Sequence, residues 1–252
     1  MESWFKEDVL NGYTVLVIGA STESGPAVCR VLAQHGARVA FTYLKNIEAA
    51  HHLQTELQSL GCESKPYPFD LFSMDQVWRL PQQVSEEFGR LDILVNLGGP
   101  PPVYTDLHEL KETEFDAMMD THFKANFFLS LKMARLMEQG SGGVVVNVSA
   151  TSSMKCDHSV YGLAKACQRE MTGFLAQTFA PKVRFVTLVP GLIGNNEVDA
   201  TLREKRAQIS PLKRVVTAKE LGQLVVMACS PAFTSITGTS LLADAGFSLL
   251  HP

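Results

Sequence analysis

The chain has 252 residues, 46% of them hydrophobic and 19% charged, with a formal net charge of −4. That length suits one α/β domain with a sizeable core rather than two. The acidic balance, with no basic stripe carrying interleaved aromatics, excludes a phosphate-backbone partner, so no nucleic acid is expected.

Short runs rich in Val, Ile and Leu alternate along the chain with longer amphipathic stretches. Residues 13–18 read as a buried strand and 26–34 as a helix stopped by Gly36. The next strand is 38–43, followed by a helix over 47–60 stopped by Gly61. Residues 63–69 form a strand, 73–88 a helix capped by Ser73, and 91–96 a strand. One long helix is predicted over 112–138, then a strand over 143–149 and a helix over 159–179. A strand over 183–189, a helix over 218–229 and a last strand over 240–243 complete the series. Strands apolar on both faces, joined by crossover helices, imply an α/β fold: a doubly wound parallel sheet with helices on both sides. The whole of 1–252 is expected to be one nucleotide-binding domain. Residues 194–211 are polar and lack clean periodicity, and are expected to form a mobile flap over the substrate rather than core.

The first strand runs into Gly19-Ala20-Ser21-Thr22-Glu23-Ser24-Gly25-Pro26. A glycine-bearing turn here lets backbone amides and a helix N-terminus approach a pyrophosphate, which makes Gly19, Ser21 and Gly25 candidate cofactor ligands. After the second strand stand Thr42-Tyr43-Leu44-Lys45-Asn46, where an NAD site usually carries an acid on the ribose 2′-hydroxyl. With no carboxylate to repel a 2′-phosphate, Tyr43 and Lys45 favour NADP(H) over NAD(H). Asp70, ending the third strand, is placed to meet an adenine amino group or to cap the following helix. Pro100-Pro101-Pro102 is a stiff loop after a strand, where open α/β sheets place their ligands.

Tyr161 and Lys165 stand four residues apart in a predicted helix, so both project from one face. An ammonium beside a phenol favours phenolate and brings a proton donor toward working pH. Alone, such a pair is more readily an exposed tyrosine and a solvated lysine on a surface helix. Its setting on a doubly wound pattern turns the preference.

Taken together, these residues resemble the short-chain dehydrogenases/reductases over essentially the whole chain. The signs are the glycine turn at 19–25, Leu91-Asp92-Ile93-Leu94-Val95-Asn96, Val144-Val145-Val146-Asn147-Val148-Ser149, Tyr161 with Lys165, Val189-Pro190-Gly191, and Ile236-Thr237-Gly238-Thr239 before Asp244-Ala245-Gly246. The resemblance implies a Rossmann-like domain, a nicotinamide cofactor, a carbonyl/alcohol substrate pair and a homo-oligomer, tetramer or dimer. It adds Asn96, Gly98, Lys165, Pro190, Gly191 and Ile193 to the cofactor-binding candidates. It also implies catalytic roles: Tyr161 as proton donor and acceptor, Lys165 as its tuner and ribose ligand, and Ser149 or Ser152 orienting the substrate oxygen. His122 takes the position of the family's helix asparagine, a relay group able to titrate near neutral pH.

The chain departs from the family at several points. Glu23 replaces the middle glycine, and Ile18 the preceding threonine. Asn96-Leu97-Gly98-Gly99 replaces Asn-Asn-Ala-Gly, Ala150 aligns with the catalytic serine, and Asn195 with the threonine after Pro-Gly. The leading expectation is an NADP(H)-dependent carbonyl reductase or alcohol dehydrogenase. The degraded positions support a rival, a non-catalytic nucleotide sensor or scaffold on the same fold. An enoyl-thioester reductase is a third reading, disfavoured because those enzymes space their tyrosine and lysine more widely.

The remaining signals are plain. The start, Met1-Glu2-Ser3-Trp4-Phe5-Lys6-Glu7-Asp8, carries acids where a signal peptide needs basic then apolar residues, and apolar runs are strand-length, so no membrane partner is expected. Five scattered cysteines without Cys-x-x-Cys spacing read as reduced thiols of a cytoplasmic protein. Seven histidines give no metal spacing, so no metal site is expected. The densest basic run, Arg203, Lys205, Arg206, Lys213 and Arg214, reads as a solvated face.

Overall fold

The computed structural model describes residues 8–20, 24–154, 159–194 and 198–250. The elements are β1 (Thr14–Ile18), α1 (Gly25–Gln34), β2 (Arg38–Tyr43), α2 (Ile47–Ser59), β3 (Ser64–Pro68), α3 (Met74–Phe88), β4 (Ile93–Asn96) and α4 (Glu112–Met119). They continue with α5 (Asn126–Gln139), β5 (Gly143–Val148), α6 (Val160–Phe179), β6 (Val183–Pro190), β7 (Ile193–Gly194), α7 (Ala200–Ile209), β8 (Val216–Thr217), α8 (Ala218–Cys229), β9 (Thr239–Ala243) and α9 (Phe247–Leu250).

Seven strands form one sheet in the order β3-β2-β1-β4-β5-β6-β9, every neighbouring pair parallel. The order reverses between β1 and β4, which places crossover helices on both faces, the doubly wound arrangement expected. Alternate residues of β1 feed two cores. Val15 and Val17 pack with Val28 and Leu32 of α1 and Leu221 and Val225 of α8. Leu16 and Ile18 pack with Val77 of α3, Leu129 of α5 and Met171 of α6. This is why β1 reads as an unbroken apolar run: neither face meets water, and each fully buried side chain contributes about 1.5–3 kcal/mol.

A polar row crosses the middle of the sheet. Asn96, Asn147 and Thr187 stand side by side in register on β4, β5 and β6. Asn96 Nδ2 donates to Asn147 Oδ1 at 2.8 Å and to Ser130 Oγ of α5 at 2.9 Å. Asn147 Nδ2 donates to Thr172 Oγ1 of α6 at 3.1 Å, and Thr172 shares a 2.5 Å bond with Thr187. All five residues are buried, so this row fixes α5 and α6 on the sheet at one height. Asn96 was expected to bind cofactor. Its amide nitrogen donates twice inside this row, its Oδ1 is buried with no partner among the described residues, and it is not among the residues that line the cleft.

Two predicted segments differ from expectation, and the short β7, β8 and α9 add to the predicted series. The helix predicted over 112–138 is broken into α4 and α5 by a π-helical turn at Asp120–Ala125. There Asn126 Nδ2 donates to Thr121 O and His122 O at 2.8 and 3.2 Å, holding the widened turn. The segment expected to be irregular, 194–211, contains the helix α7, which has no buried residue. Asp199 caps it, accepting from Leu202 N at 2.9 Å, and its Ala, Leu, Arg, Glu, Lys and Gln are strong helix formers. Periodicity missed it because it buries no stripe.

Candidate active site and cofactor cleft

A cavity of about 1060 Å³ opens at the carboxyl ends of the strands. That is where ligands bind in open α/β sheets, and its volume is at the upper end for ligand sites. Gly19, Tyr43, Lys45, Asp70, Gly98, Ser149, Tyr161, Lys165, Pro190, Gly191 and Ile193 all line it. Ser21, with Thr22, Glu23 and Asn195, lies outside the described residues.

The floor is closed by bare backbone. Gly19 has φ +79°, and a Cβ built there would lie 2.3 Å from Gly98 Cα. Only glycine adopts that conformation without strain and lets the β1 and β4 ends touch. Gly19 N donates to Thr42 Oγ1 at 2.9 Å, drawing in the end of β2. Gly25 does not line the cavity; a Cβ there would strike Ala20 Cα at 2.5 Å, so its role is to close the turn. Asp70 lines the cleft, but its Oδ1 accepts from Phe72 N at 2.9 Å in a tight turn, while Ser73 caps α3.

Ser159 starts α6 by accepting from Gly162 N at 2.9 Å, which sets Tyr161 and Lys165 one turn apart facing the cavity. Lys165 is only 4% exposed. Its Nζ donates to Val148 O at 2.9 Å and Gln168 Oε1 at 3.1 Å, and stands 5.9 Å from the centroid of the Tyr161 ring. Two neutral acceptors thus hold the Lys165 amine beside the phenol. The hydroxyls near the strand end divide. Ser149 Oγ donates to Lys165 O at 3.0 Å, bracing β5 against α6. Ser152 lines the cavity, but its Oγ is buried and has no hydrogen-bond partner among the described residues. Of the two candidates, the unengaged hydroxyl is Ser152.

His122 sits in the π-turn, 3% exposed, behind Tyr161 rather than on the cavity wall. Its Nε2 is 3.1 Å from Pro100 O, so the neutral ring carries its proton there, and Nδ1 has no partner among the described residues. The ring meets Tyr161 edge-on, centroids 5.0 Å apart at 84°. Burial, and then the charge of Lys165, pull its pKa down to about 3. The expectation of a group titrating near neutrality is therefore corrected: the imidazole is neutral throughout the physiological range.

One cavity residue was assigned elsewhere by sequence. Arg206, read as part of a solvated basic face, lines the cleft from α7 with its guanidinium 3.8 Å from the centroid of the Phe247 ring. No local pattern marks it, since the contact joins residues 41 apart. Among the described residues there is no group of three His, Cys, Asp or Glu that could hold a metal ion, and no helix long and apolar enough to cross a membrane.

Comparison with known proteins agrees with this fold. The family described as Enoyl-(Acyl carrier protein) reductase matches residues 19–248. A tropinone reductase homologue of Arabidopsis thaliana is 32% identical over 250 residues, covering 95% of this chain and 92% of the relative. A short chain dehydrogenase from Burkholderia cenocepacia J2315, solved in complex with NADP, superposes with a TM-score of 0.88 at 27% identity, over 95% of this chain and 99% of that one. A 7α-hydroxysteroid dehydrogenase solved with NADH and 7-oxo glycochenodeoxycholic acid also reaches 0.88, at 23% identity, covering 96% and 97%; at that identity the likeness concerns the fold.

Proposed function

The chain belongs to the short-chain dehydrogenase/reductase family of nicotinamide-dependent oxidoreductases, and from that footing we propose that it interconverts a carbonyl and an alcohol using NADP(H). The observation that carries the reading is Tyr161 and Lys165 on one face of α6, both lining the cleft, with the ammonium buried and held. The whole chain serves as one nucleotide-binding unit, with 194–211 as the flap over the substrate.

The cleft suits a dinucleotide. The turn at Gly19 admits no side chain, so backbone reaches the cavity uncovered. Tyr43 and Lys45 line the ribose end with no carboxylate between 42 and 46, which favours a 2′-phosphate and hence NADP(H) over NAD(H). The relative solved with NADP is consistent with this preference, and the one solved with NADH marks its alternative. Lys165 would hold the nicotinamide ribose hydroxyls, and Pro190, Gly191 and Ile193 the nicotinamide end. When bound, the cofactor would supply a hydride to the carbonyl carbon. Tyr161 gives its hydroxyl proton to the carbonyl oxygen, and the charge of Lys165 stabilises the phenolate left behind. Ser149 gives its proton to Lys165 O and Ser152 Oγ is buried, so either hydroxyl would have to turn toward the cleft to orient the substrate oxygen. Neutral His122 buttresses the Tyr161 ring and ties the helix to the proline loop. A homo-oligomer in the cytoplasm, dimer or tetramer, completes the proposal.

The enoyl reductase description attached to the family favours a second reading, reduction of a carbon–carbon double bond. The four-residue spacing of Tyr161 and Lys165 weighs against it. A non-catalytic sensor draws on Glu23, His122 and Ala150, which replace family residues. Titrating NADPH and NADH separately into the protein, followed by cofactor fluorescence and thermal shift, separates these. Tight NADPH binding, with carbonyl turnover that Tyr161→Phe lowers by about 10²–10⁴-fold, is the expected result. Failure of both cofactors to bind would overturn the reductase reading.

A further inference from the structure

Among the described residues the cleft is lined by four charged side chains: Lys45, Asp70, Lys165 and Arg206. Three have an assigned task. Lys45 faces the ribose end, Lys165 is held beside Tyr161, and Asp70 is engaged in its own turn. Arg206 has none in the chemistry so far. It sits over Phe247, which follows β9, whereas Lys45 follows β2. Five strand intervals separate β2 from β9 in the sheet, roughly 24 Å at the usual spacing. A phosphate held at Lys45 therefore lies far from Arg206.

The guanidinium is also poorly paired. No carboxylate among the described residues forms an ion pair with it. Burial lowers its pKa, with Tyr104 nearby acting in the opposite direction, so the charge is partly stripped of water. Phe247 covers one face of the planar group. Stacking occupies that face only; the N–H donors lie in the plane and remain directed around the rim, the geometry that grips a carboxylate with two bonds. The surrounding wall is apolar and aromatic, with Leu192, Val198 and Tyr104, and this strengthens a charge contact relative to water.

We propose that Arg206, stacked on Phe247, is an anion-binding post for the substrate, and that the enzyme's substrates are carbonyl compounds or alcohols bearing a carboxylate at the end remote from the reacting carbon. This deepens the reductase reading and rests on it for the reacting carbonyl. The binding itself is testable without turnover.

The test uses the NADPH-loaded protein and three oxo-acids of different skeleton, 4-oxocyclohexanecarboxylate, 4-oxo-4-phenylbutanoate and 4-oxopentanoate, each beside its methyl ester. Affinity is measured by calorimetry and turnover by NADPH oxidation. At least one acid is expected to bind about 10- to 100-fold more tightly than its ester, the worth of a hydrogen-bonded charge pair. Arg206→Met should bring that ratio close to one, and Arg206→Lys, which keeps the charge without the fork, should fall between. Cooperative thermal melts show that the variants fold. If no acid outbinds its ester, or if Arg206→Met weakens acid and ester alike, Arg206 is a packing partner of Phe247 and the proposal falls. Acid preference without NADPH oxidation would leave the anion post standing and overturn the reductase reading. Oxidation without acid preference would do the reverse.

Discussion

Replacing Gly99 by alanine probes the support behind Tyr161. The new Cβ would lie 2.1 Å from Cε1 and 2.4 Å from Nδ1 of His122, where ordinary carbon contacts are about 3.5–4.0 Å. The ring must retreat by more than an ångström, and it has little room. Nε2 is tied to Pro100 O at 3.1 Å, the ring edge abuts Tyr161, and the side chain is buried. Overpacking of this kind costs about 1–3 kcal/mol, and loss of the Pro100 bond adds about 0.5–1.5 kcal/mol. Displacing Tyr161 by even an ångström can lower turnover by about 10²-fold. Stability is measured by urea unfolding of Gly99→Ala, His122→Ala and the double variant. The double variant should be more stable than the sum of the two losses by about 1–3 kcal/mol, because the added methyl then fills space the imidazole has left. Additive losses, or a Gly99→Ala protein as stable as wild type, would refute the reasoning.

Three further outcomes follow from the geometry. Asn147→Ala removes the centre of the polar row, stranding Asn96 Nδ2 and Thr172 Oγ1 from one of their partners, and should cost about 2–4 kcal/mol in urea unfolding. His122, at about 3 in the fold against about 6.5 unfolded, takes a proton only on unfolding between those values. Wild-type stability should thus fall as pH drops below 6.5, by about 1 kcal/mol per pH unit relative to His122→Asn, and the difference should be flat above pH 7; a constant difference down to pH 4.5 would count against the buried neutral ring. Lys45→Glu should weaken NADPH binding at least tenfold while changing NADH binding far less, measured by fluorescence titration; equal loss for both would remove the 2′-phosphate argument.

The elements were legible in the sequence because their signals are local. Apolar runs marked β1, β2, β4, β5 and β6, Ser73 announced α3, and Gly36 and Gly61 ended the first two helices. A parallel doubly wound sheet follows from such elements almost of necessity, since helices must cover both apolar faces. The four-residue spacing of Tyr161 and Lys165 likewise set their shared face before any contact was known. What a side chain does was decided by partners far along the chain. Ser149 turned to a carbonyl 16 residues away, and Asn96 into a row completed by residues 34 and 51 positions on. The π-turn at Asp120–Ala125 gives no local pattern, because Asn126 holds it from within the folded helix. Arg206 looked like one more solvated cation until the chain end brought Phe247 beneath it. Backbone periodicity is written residue by residue, whereas the direction of a buried polar group is settled only when packing determines which acceptor, ring or cavity it meets.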